Sequence, residues 1–332
     1  NPRIKAVFDQ WRNSDALLSN LEKNEELKSL LVQETPWLRD AQSESEQKKR
    51  IALLFDLNLM QRKQGESMMK LQQNQMNSGA WPWFKGGYAN RYITQHIVTG
   101  FGHLDKLIGP SAPLGDQVQD ASTTGSVQER EIIEKAISYL DAAFIEEYKE
   151  LSKYTEKPDY TKDHLSRMQT HYLYMRSFFP QFKKSKEVEE ISTYYLGQME
   201  TYWNTRDLYL KGMIALVLHR NGKTSTASKI TKALKENSIT SEELGMYWKS
   251  NTPSWYWYQA PVETQALMIE VFSEIEKETE IIDNLKVWLL KNKQTNQWST
   301  TKATSEAVYA LLLQGTDWLS VTEAVQVAVG IK

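Results

Sequence analysis

The stretch QMNSGAWPWF at residues 75–84, followed by RYITQHIVTGF at residues 91–101, decides the fold because its pattern recurs twice downstream. The second copy is WYWYQAPVETQAL at residues 255–267, and the third is QWSTTKATSEA at residues 297–307. In each copy, tryptophan leads through a short loop into a helix that opens with threonine and carries apolar residues at every third or fourth position. Units that recur in this way predict a helical repeat architecture.

The residue types at this junction suit a loop that is fastened to the end of a helix. A threonine hydroxyl can accept hydrogen bonds from the free N–H groups of the first helical turn, and a glutamine can satisfy other unpaired donors. Gly79 permits a positive φ, and Trp81 can then pack flat over the helix end. We therefore predict a structural staple made of these residues: Gln75, Gly79, Trp81, Thr94, Thr264, Trp298 and Thr304.

The other aromatic residues of these loops form a candidate contact surface. It comprises Trp83, Phe84, Trp255, Tyr256, Trp257 and Tyr258, together with Glu263. Aromatic rings at such positions can stack on a ligand or bury apolar surface against another module.

Apolar periodicity predicts an all-α fold. Residues Ile133, Ala136, Ile137, Leu140 and Phe144 follow a helical stripe, introduced by the capping-box pattern from Ser126 to Glu129. Similar stripes run through residues 165–175 and 281–289, and further helices are expected around residues 21–32, 44–64, 92–107, 187–200, 206–220, 225–236, 263–276, 302–313 and 321–330. Glycine (15) and proline (9) are scarce, which favours long helices, and no segment shows convincing strand alternation.

The helices are expected to pair as hairpins around a centre, which is an α/α toroid. Residues 109–126, rich in Gly, Pro, Ser and Asp, are predicted to be one long loop. Similar helical units lie on both sides of this loop, so we expect residues 1–332 to form a single domain.

Composition excludes several classes of function. The net charge is −2, with 40 basic and 42 acidic residues interspersed, so no nucleic-acid-binding surface is expected. The absence of cysteine removes disulfides, thiolate nucleophiles and cysteine-containing zinc sites. The five histidines include two pairs at i, i+7, a spacing too long for a zinc-binding helix, and no metal or other cofactor is expected. No apolar run is long enough to span a membrane, and the start lacks both methionine and a signal-peptide pattern.

Several short motifs carry a resemblance to a known family. The phrase from Gln75 to Trp81 resembles the glutamine–tryptophan repeat of α/α toroids in the terpenoid-cyclase and prenyltransferase superfamily. A wider set of motifs is similar to the thioester domain of bacterial alpha-macroglobulins, particularly those of Bacteroides-like bacteria: NPRIKAVF at 1–8, SNLEKN at 19–24, ETPW at 34–37, LFDLN at 54–58, WPWFKGG at 81–87, RYITQHI at 91–97 and WSTTKAT at 298–304.

This resemblance implies a domain of a cell-envelope protease trap. In that family a protease cuts a bait segment, the protein rearranges, and an internal Cys–Gln thioester formed by a Cys-x-Glu-Gln motif can acylate the protease. Without cysteine, no thioester can form within these residues. The resemblance implies a fragment of a larger extracytoplasmic protein, with neighbouring β-rich domains as partners, target proteases bound through the full-length protein, and any signal or thioester motif upstream of Asn1.

Enzymes built on the same scaffold are the alternatives. Terpene cyclases need clustered aspartates, and prenyltransferases need a zinc site that includes cysteine; the sequence contains neither. A carbohydrate-active or sugar-binding toroid stays open because Glu263 follows four aromatic residues on which a sugar could stack. A glycosidase needs a second carboxyl group, for which Asp159 and Asp163 are the candidates.

Overall fold

The computed structural model describes residues 57–108, 123–153, 159–253, 260–293 and 298–313. These residues are mostly helical, which confirms the predicted predominance of α-helix. The chain divides into two compact units, residues 1–73 with 318–332 and residues 74–317. The helices predicted at residues 21–32 and 321–330 lie outside the described residues.

Ten α-helices are present within the described ranges. They are α1 (Leu57–Asn74), α2 (Arg91–Ile108), α3 (Thr123–Lys153), α4 (Arg167–Arg176), α5 (Lys186–Tyr202), α6 (Leu208–Arg220), α7 (Thr224–Glu236), α8 (Pro261–Val271), α9 (Thr279–Lys291) and α10 (Thr301–Leu312). A 3₁₀ turn at Trp203–Thr205 extends α5, and a π-helical turn at Phe272–Glu276 extends α8. Helix α1 contributes to the first unit, and α2 to α10 belong to the second.

One short hairpin departs from the expectation that no segment is extended. Strand β1 (Ile239–Ser241) pairs antiparallel with β2 (Gly245–Tyr247), so that Thr240 faces Met246. Each strand has only three residues, which is too few for side-chain alternation to be visible in the sequence.

Burial alternates along the second unit from one helix to the next. In α4 and α8, every residue from 169 to 176 and from 262 to 271 is buried, and α6 is buried from residue 212 to 218. Helices α5 and α7 instead bury only one face, with residues such as Val188, Ile191, Ile230 and Leu234. A helix that is buried on all sides must be covered by its neighbours. Helices α4, α6 and α8, together with α2 and α10 that pack against them, are called the inner helices of the second unit, and α3, α5, α7 and α9 are called its outer helices.

The inner helices contact one another in chain order and return to the start. Helix α2 packs against α4, α4 against α6, α6 against α8, α8 against α10, and α10 against α2. The outer helices join the same scheme, since α3 packs on α2 and α4, α7 on α6, and α9 on α8. The second unit therefore has a centre that all five inner helices face.

The loop before α2 is held against the backbone of α3 by Gln75 and Gly79. The Gln75 side-chain amide donates to the carbonyl oxygens of Gly79 and Ile132, both at 2.9 Å. Gly79 has φ +89°, and a Cβ placed there would lie 2.2 Å from the carbonyl oxygen of Lys135 in α3. Trp81 is 2% exposed. Glycine is needed here for both its positive φ and its lack of a side chain.

The repeated threonines differ from the predicted caps. Each lies one turn inside its helix and donates its hydroxyl to the carbonyl four residues back: Thr94 to Asn90, Thr264 to Ala260 and Thr304 to Thr300. The cap of α10 is Thr300, whose side chain accepts from the N–H of Ala303. At the start of α2 the side chain of Asn90 accepts from the N–H of Ile93. The hydroxyl of Thr94 also accepts from the N–H of Trp81 at 2.9 Å, which joins loop to helix.

A second close contact between a loop glycine and a helix occurs at Gly245, before the second sequence copy at residues 255–267. Gly245 has φ +69°, and a Cβ there would lie 2.1 Å from the carbonyl oxygen of Asn284 in α9. Trp248 is buried and its indole N–H donates to the carbonyl of Leu234, while Gln265 donates to the carbonyls of Met246 and Leu285. Glycine, glutamine and tryptophan thus recur together at this junction. Trp298 is also buried, and its indole N–H donates to the carbonyl of Leu289.

The predicted boundary of the long loop is wrong at its C-terminal end. Helix α3 already begins at Thr123, three residues before the expected cap at Ser126, so residues 123–126 are helical. A capping box is present instead at Ser166, whose side chain accepts from the N–H of Gln169 while its own N–H donates to the Gln169 side chain. Residues 109–122 lie outside the described ranges.

Two glycines of the first aromatic loop, Gly79 and Gly86, provide a matched test of this packing. Gly86 has φ +83° with nothing near its missing Cβ, whereas Gly79 faces the α3 backbone. We expect Gly86→Ala to cost about 1–2 kcal/mol of unfolding free energy, the cost of a left-handed conformation. Gly79→Ala should cost a further ~1–3 kcal/mol because α3 must move. Urea denaturation measures both, and equal losses would mean that the contact with Lys135 adds nothing.

Candidate functional site

The inner helices of the second unit enclose a cavity of about 290 Å³. On three of these helices, two lining residues are seven positions apart, because residues at that spacing lie on the same helix face two turns from each other. Thus α2 contributes His96 and His103, α8 contributes Glu263 and Glu270, and α10 contributes Lys302 and Tyr309. Helices α4 and α6 contribute, among others, His171, Tyr174 and Tyr209.

Glu270 is a fully buried carboxylate at one end of the cavity. Its Oε1 accepts from Arg220 at 2.7 Å, from the Tyr309 hydroxyl at 2.8 Å and from Lys106 at 3.0 Å, and its Oε2 accepts from the Tyr174 hydroxyl. Burial alone would raise the pKa of Glu270, but the positive charges of Arg220 and Lys106 outweigh burial and hold that pKa well below its ordinary value. This end of the cavity is therefore saturated with hydrogen bonds and suits a structural role.

His103 lies beside this cluster as a neutral ring. It stacks on Tyr309 with ring centroids 3.8 Å apart, and burial lowers its pKa to about 4. Since the Tyr174 hydroxyl donates to Glu270, it must accept from His103 Nε2, which lies 2.9 Å away. That network assigns the proton to Nε2 and turns the lone pair of Nδ1 towards Glu306, whose Oε2 is 3.6 Å away.

A second buried histidine is also held in one tautomer. The Gln95 side-chain amide lies 3.1 Å from His171 Nδ1, which accepts from it. Burial is the main cause that lowers the pKa of His171 well below its ordinary value. His96 stacks on Tyr92, and burial followed by the charge of Lys302 lowers its pKa to about 4. All three cavity histidines are therefore uncharged at neutral pH.

The same cavity holds two carboxyl groups, Glu263 and Glu306, that differ from Glu270 in their partners. Glu263 is 6% exposed, and the side chain of Glu306 is 18% exposed. Neither accepts a hydrogen bond from any residue that the structure describes. Burial, the largest cause, raises the pKa of Glu306 to about 7; the charges of Glu270 and Glu263 add to the rise and that of Lys302 opposes it. Glu306 therefore holds its proton to a higher pH than an exposed glutamate does.

Lys302 supplies a positive charge to the same cavity as Glu263 and Glu306. Its Nζ donates to the Tyr92 hydroxyl at 3.1 Å and lies about equally far, 5.9 and 6.0 Å, from the ring centres of Tyr92 and Tyr209. Within the described residues Lys302 has no carboxylate within 4.0 Å, although it is on the same helix as Glu306. A concave, aromatic-rich cavity with a few convergent polar groups is the usual form of a small-molecule site.

Glu263 is the predicted contact residue that the structure brings to this cavity. Trp83 and Phe84 lie on the outside, 60% and 70% exposed, and Trp83 stacks on the ring of Tyr92 at 6.4 Å. The aromatic residues at positions 255–258 lie outside the described ranges. Neither suggested acid partner of Glu263 lines this cavity: Asp163 pairs with Arg206, and Asp159 holds a surface turn. The second carboxyl group of the cavity is Glu306 instead.

Sequence reasoning missed most of the cavity, although one signal was available. Helix α8 is buried throughout yet contains Glu263 and Glu270 at i, i+7, and charged residues in such a helix need partners. Lys302 and Glu306 lie on one face of α10, inside the third sequence copy. The histidine pair in α2, whose spacing is too long for a zinc-binding helix, lines the same cavity.

Removal of the Glu270 charge should destabilise the second unit. We expect Glu270→Gln to lower the unfolding free energy by about 3 kcal/mol, the lower end of the range for breaking a buried ion pair, because Glu274 still pairs with Arg220 and Lys106. Arg220→Met should have a cost of similar size. The double variant should lose roughly 1–3 kcal/mol less unfolding free energy than the two single losses added together, because Glu270 and Arg220 are coupled. Chemical denaturation measures all three, and strict additivity would contradict the coupling.

Glu306 should make stability depend on pH. Its folded pKa, about 7, lies above the ordinary value of 4.5 for a glutamate. The folded state therefore binds more protons between these values, and the carboxyl group costs stability as the pH rises. We expect Glu306→Gln and wild type to be similar at pH 5, and the variant to be the more stable at pH 8 by roughly 1–3 kcal/mol. His96 and His103 also change stability between about pH 4 and 6.5, and their contribution is constant above that range in both proteins. If the difference in unfolding free energy between the two proteins does not change with pH, ionisation of Glu306 does not destabilise the folded state.

Comparison of the sequence with protein-family models finds no match, and comparison with curated proteins finds none either. In the described part of the chain, no helix combines the length and apolar character needed to cross a membrane. Over the same residues, no group of three or more histidine, aspartate or glutamate side chains is arranged to hold a metal ion.

Proposed function

We propose that this chain is a noncatalytic α/α-toroid domain of an alpha-macroglobulin-like protease inhibitor that acts outside the cytoplasm, at the cell envelope. The toroid is supported by the order of helix contacts, in which α2, α4, α6, α8 and α10 each touch the next and α10 returns to α2. The family is supported by the motifs at residues 1–97 and 298–304. The domain acts through contacts with neighbouring β-rich modules and, through the full-length protein, with the captured protease.

The observation that carries this proposal is an exposed aromatic patch on the first repeated loop. Trp83, Phe84 and Tyr88 are 60%, 70% and 95% exposed, within six residues of one another and next to a tryptophan that is 2% exposed. Large apolar side chains grouped on a surface mark contact sites with other proteins. A loop held firmly at Trp81 presents these rings at a fixed position.

The saturated centre of the second unit agrees with a conformational role. The four donors around Glu270 come from four different helices. Their hydrogen bonds join these helices to α8, and none of them leaves a reactive group exposed. With no cysteine in the chain, the proposal includes no thioester within these residues.

A protease-trapping assay on the full-length parent protein tests the proposal. A trap limits access of large substrates, so the parent should inhibit cleavage of a protein substrate much more than cleavage of a small peptide. Trp83→Ser with Phe84→Ser should weaken this inhibition at least several-fold, because the patch would lose its apolar contact with the adjacent module. Val308→Ser, an exposed apolar change on α10, is the control and should have no effect. A parent that is cleaved without restraining the protease would refute the inhibitor proposal.

A carbohydrate-active or sugar-binding toroid is the second candidate, because Glu263 and Glu306 line one aromatic cavity. A glycosidase uses two carboxyl groups, one of them with a raised pKa as general acid, and Glu306 has such a pKa. Release of reducing sugar from a polysaccharide panel, lost in both Glu263→Gln and Glu306→Gln, would favour this candidate.

A further inference from the structure

Three charged groups that line the cavity have few partners within the protein itself. Glu263, Glu306 and Lys302 come from two adjacent inner helices, and within the described residues no ion pair of 4.0 Å or less joins them. Glu263 is buried, and Lys302 and Glu306 are partly buried. Ionisable groups with so little access to water are normally hydrogen-bonded or paired. Such a set of groups indicates a ligand that supplies the missing partners.

The charges define what that ligand must carry. Glu263 and Glu306 both accept hydrogen bonds when ionised, so they suit a donor with positive charge, such as an ammonium group. Lys302 Nζ has three N–H donors and uses one on Tyr92, which leaves two for an anionic group such as a carboxylate. A single ligand that satisfies both ends carries an ammonium and a carboxylate.

The walls between these charges are apolar. Met168, Ala266, Met213 and Leu267 line the cavity together with the rings of Tyr92 and Tyr209. Both Met213 and Leu267 are buried, on helices α6 and α8. The flexible methionine side chain adapts to varied shapes, so this wall suits an aliphatic or aromatic side chain rather than a chain of hydroxyl groups.

We propose that the cavity binds a zwitterionic α-amino acid with an apolar side chain, its carboxylate on Lys302, its ammonium between Glu263 and Glu306, and its side chain against Met213 and Leu267. This site is separate from the proposed protease contact through Trp83 and Phe84 and does not rest on it. A neutral monosaccharide, the occupant that the carbohydrate-active candidate requires, would bring no charge to pair directly with Lys302 or Glu263.

The test compares leucine with two analogues that each lack one charge. Isothermal titration calorimetry and ligand-observed NMR on the 332-residue chain are run with L-leucine, with 3-methylbutylamine, which lacks the carboxylate, with 4-methylpentanoate, which lacks the ammonium, and with glucose. L-leucine should bind, and each analogue should bind at least about tenfold more weakly, because one buried charge loses its partner.

Single substitutions then assign each charge to its residue. Lys302→Met should remove the preference for leucine over 3-methylbutylamine, and Glu263→Gln should remove the preference over 4-methylpentanoate. Lys229→Met and Glu187→Gln are matched controls at exposed positions on α7 and α5, and both should leave binding unchanged. Circular dichroism checks that each variant is folded, and for one that is not, the ligand series on wild type decides alone.

Three results would overturn the proposal. They are equal affinity for leucine and for either analogue, binding of glucose in preference to leucine, and no binding of any of the four ligands. None of these bears on the protease assay, so failure of the amino-acid site and failure of the inhibitor proposal are distinguishable.

Discussion

One buried carboxylate ties together all five inner helices of the second unit. Glu270 lies on α8 and accepts from Lys106 of α2, Tyr174 of α4, Arg220 of α6 and Tyr309 of α10. A carboxylate removed from water is costly unless several donors surround it. The four helices must therefore approach α8 at one point, and this requirement fixes how far each can slide along its neighbours.

The outer layer is held by a different device, the close approach of loop backbone to helix. Gly79 lies against α3 and Gly245 against α9, each with a positive φ and each where a side chain would collide with a carbonyl oxygen. Nearby glutamines bridge two backbone carbonyls in both places. At these junctions glutamine hydrogen-bonds to backbone carbonyls, and glycine leaves room for the backbone of the neighbouring helix. Because neither contact depends on side chains of that helix, the same junction can recur between helices whose apolar residues differ.

Much of the helical content could be predicted from the sequence, and the cavity could not. Helices such as α5 and α7 show an amphipathic period, and the stretch around Trp81 carries its own turn residues, so local chemistry specifies them. The hairpin of β1 and β2 was missed because three-residue strands carry no period. The threonines were misplaced by one turn, since a cap and a residue that donates to the carbonyl four positions back look alike in sequence. His103, Glu263 and Glu306 meet only after the ring of contacts is complete, and no local pattern relates such distant positions.

The meeting of α10 with α2 also sets an order in which the structure can be completed during synthesis. Lys302 donates to Tyr92 across 210 positions of sequence, and Tyr309 stacks on His103. Contacts that join the two ends of a unit carry the largest loop-closure entropy and cannot form until the second end has left the ribosome. Until then α8 has a carboxylate that lacks its donor from Tyr309, and α2 and α8 present faces with no covering helix. The nascent second unit therefore depends most on protection from aggregation in the interval before α10 packs against α2 and α8.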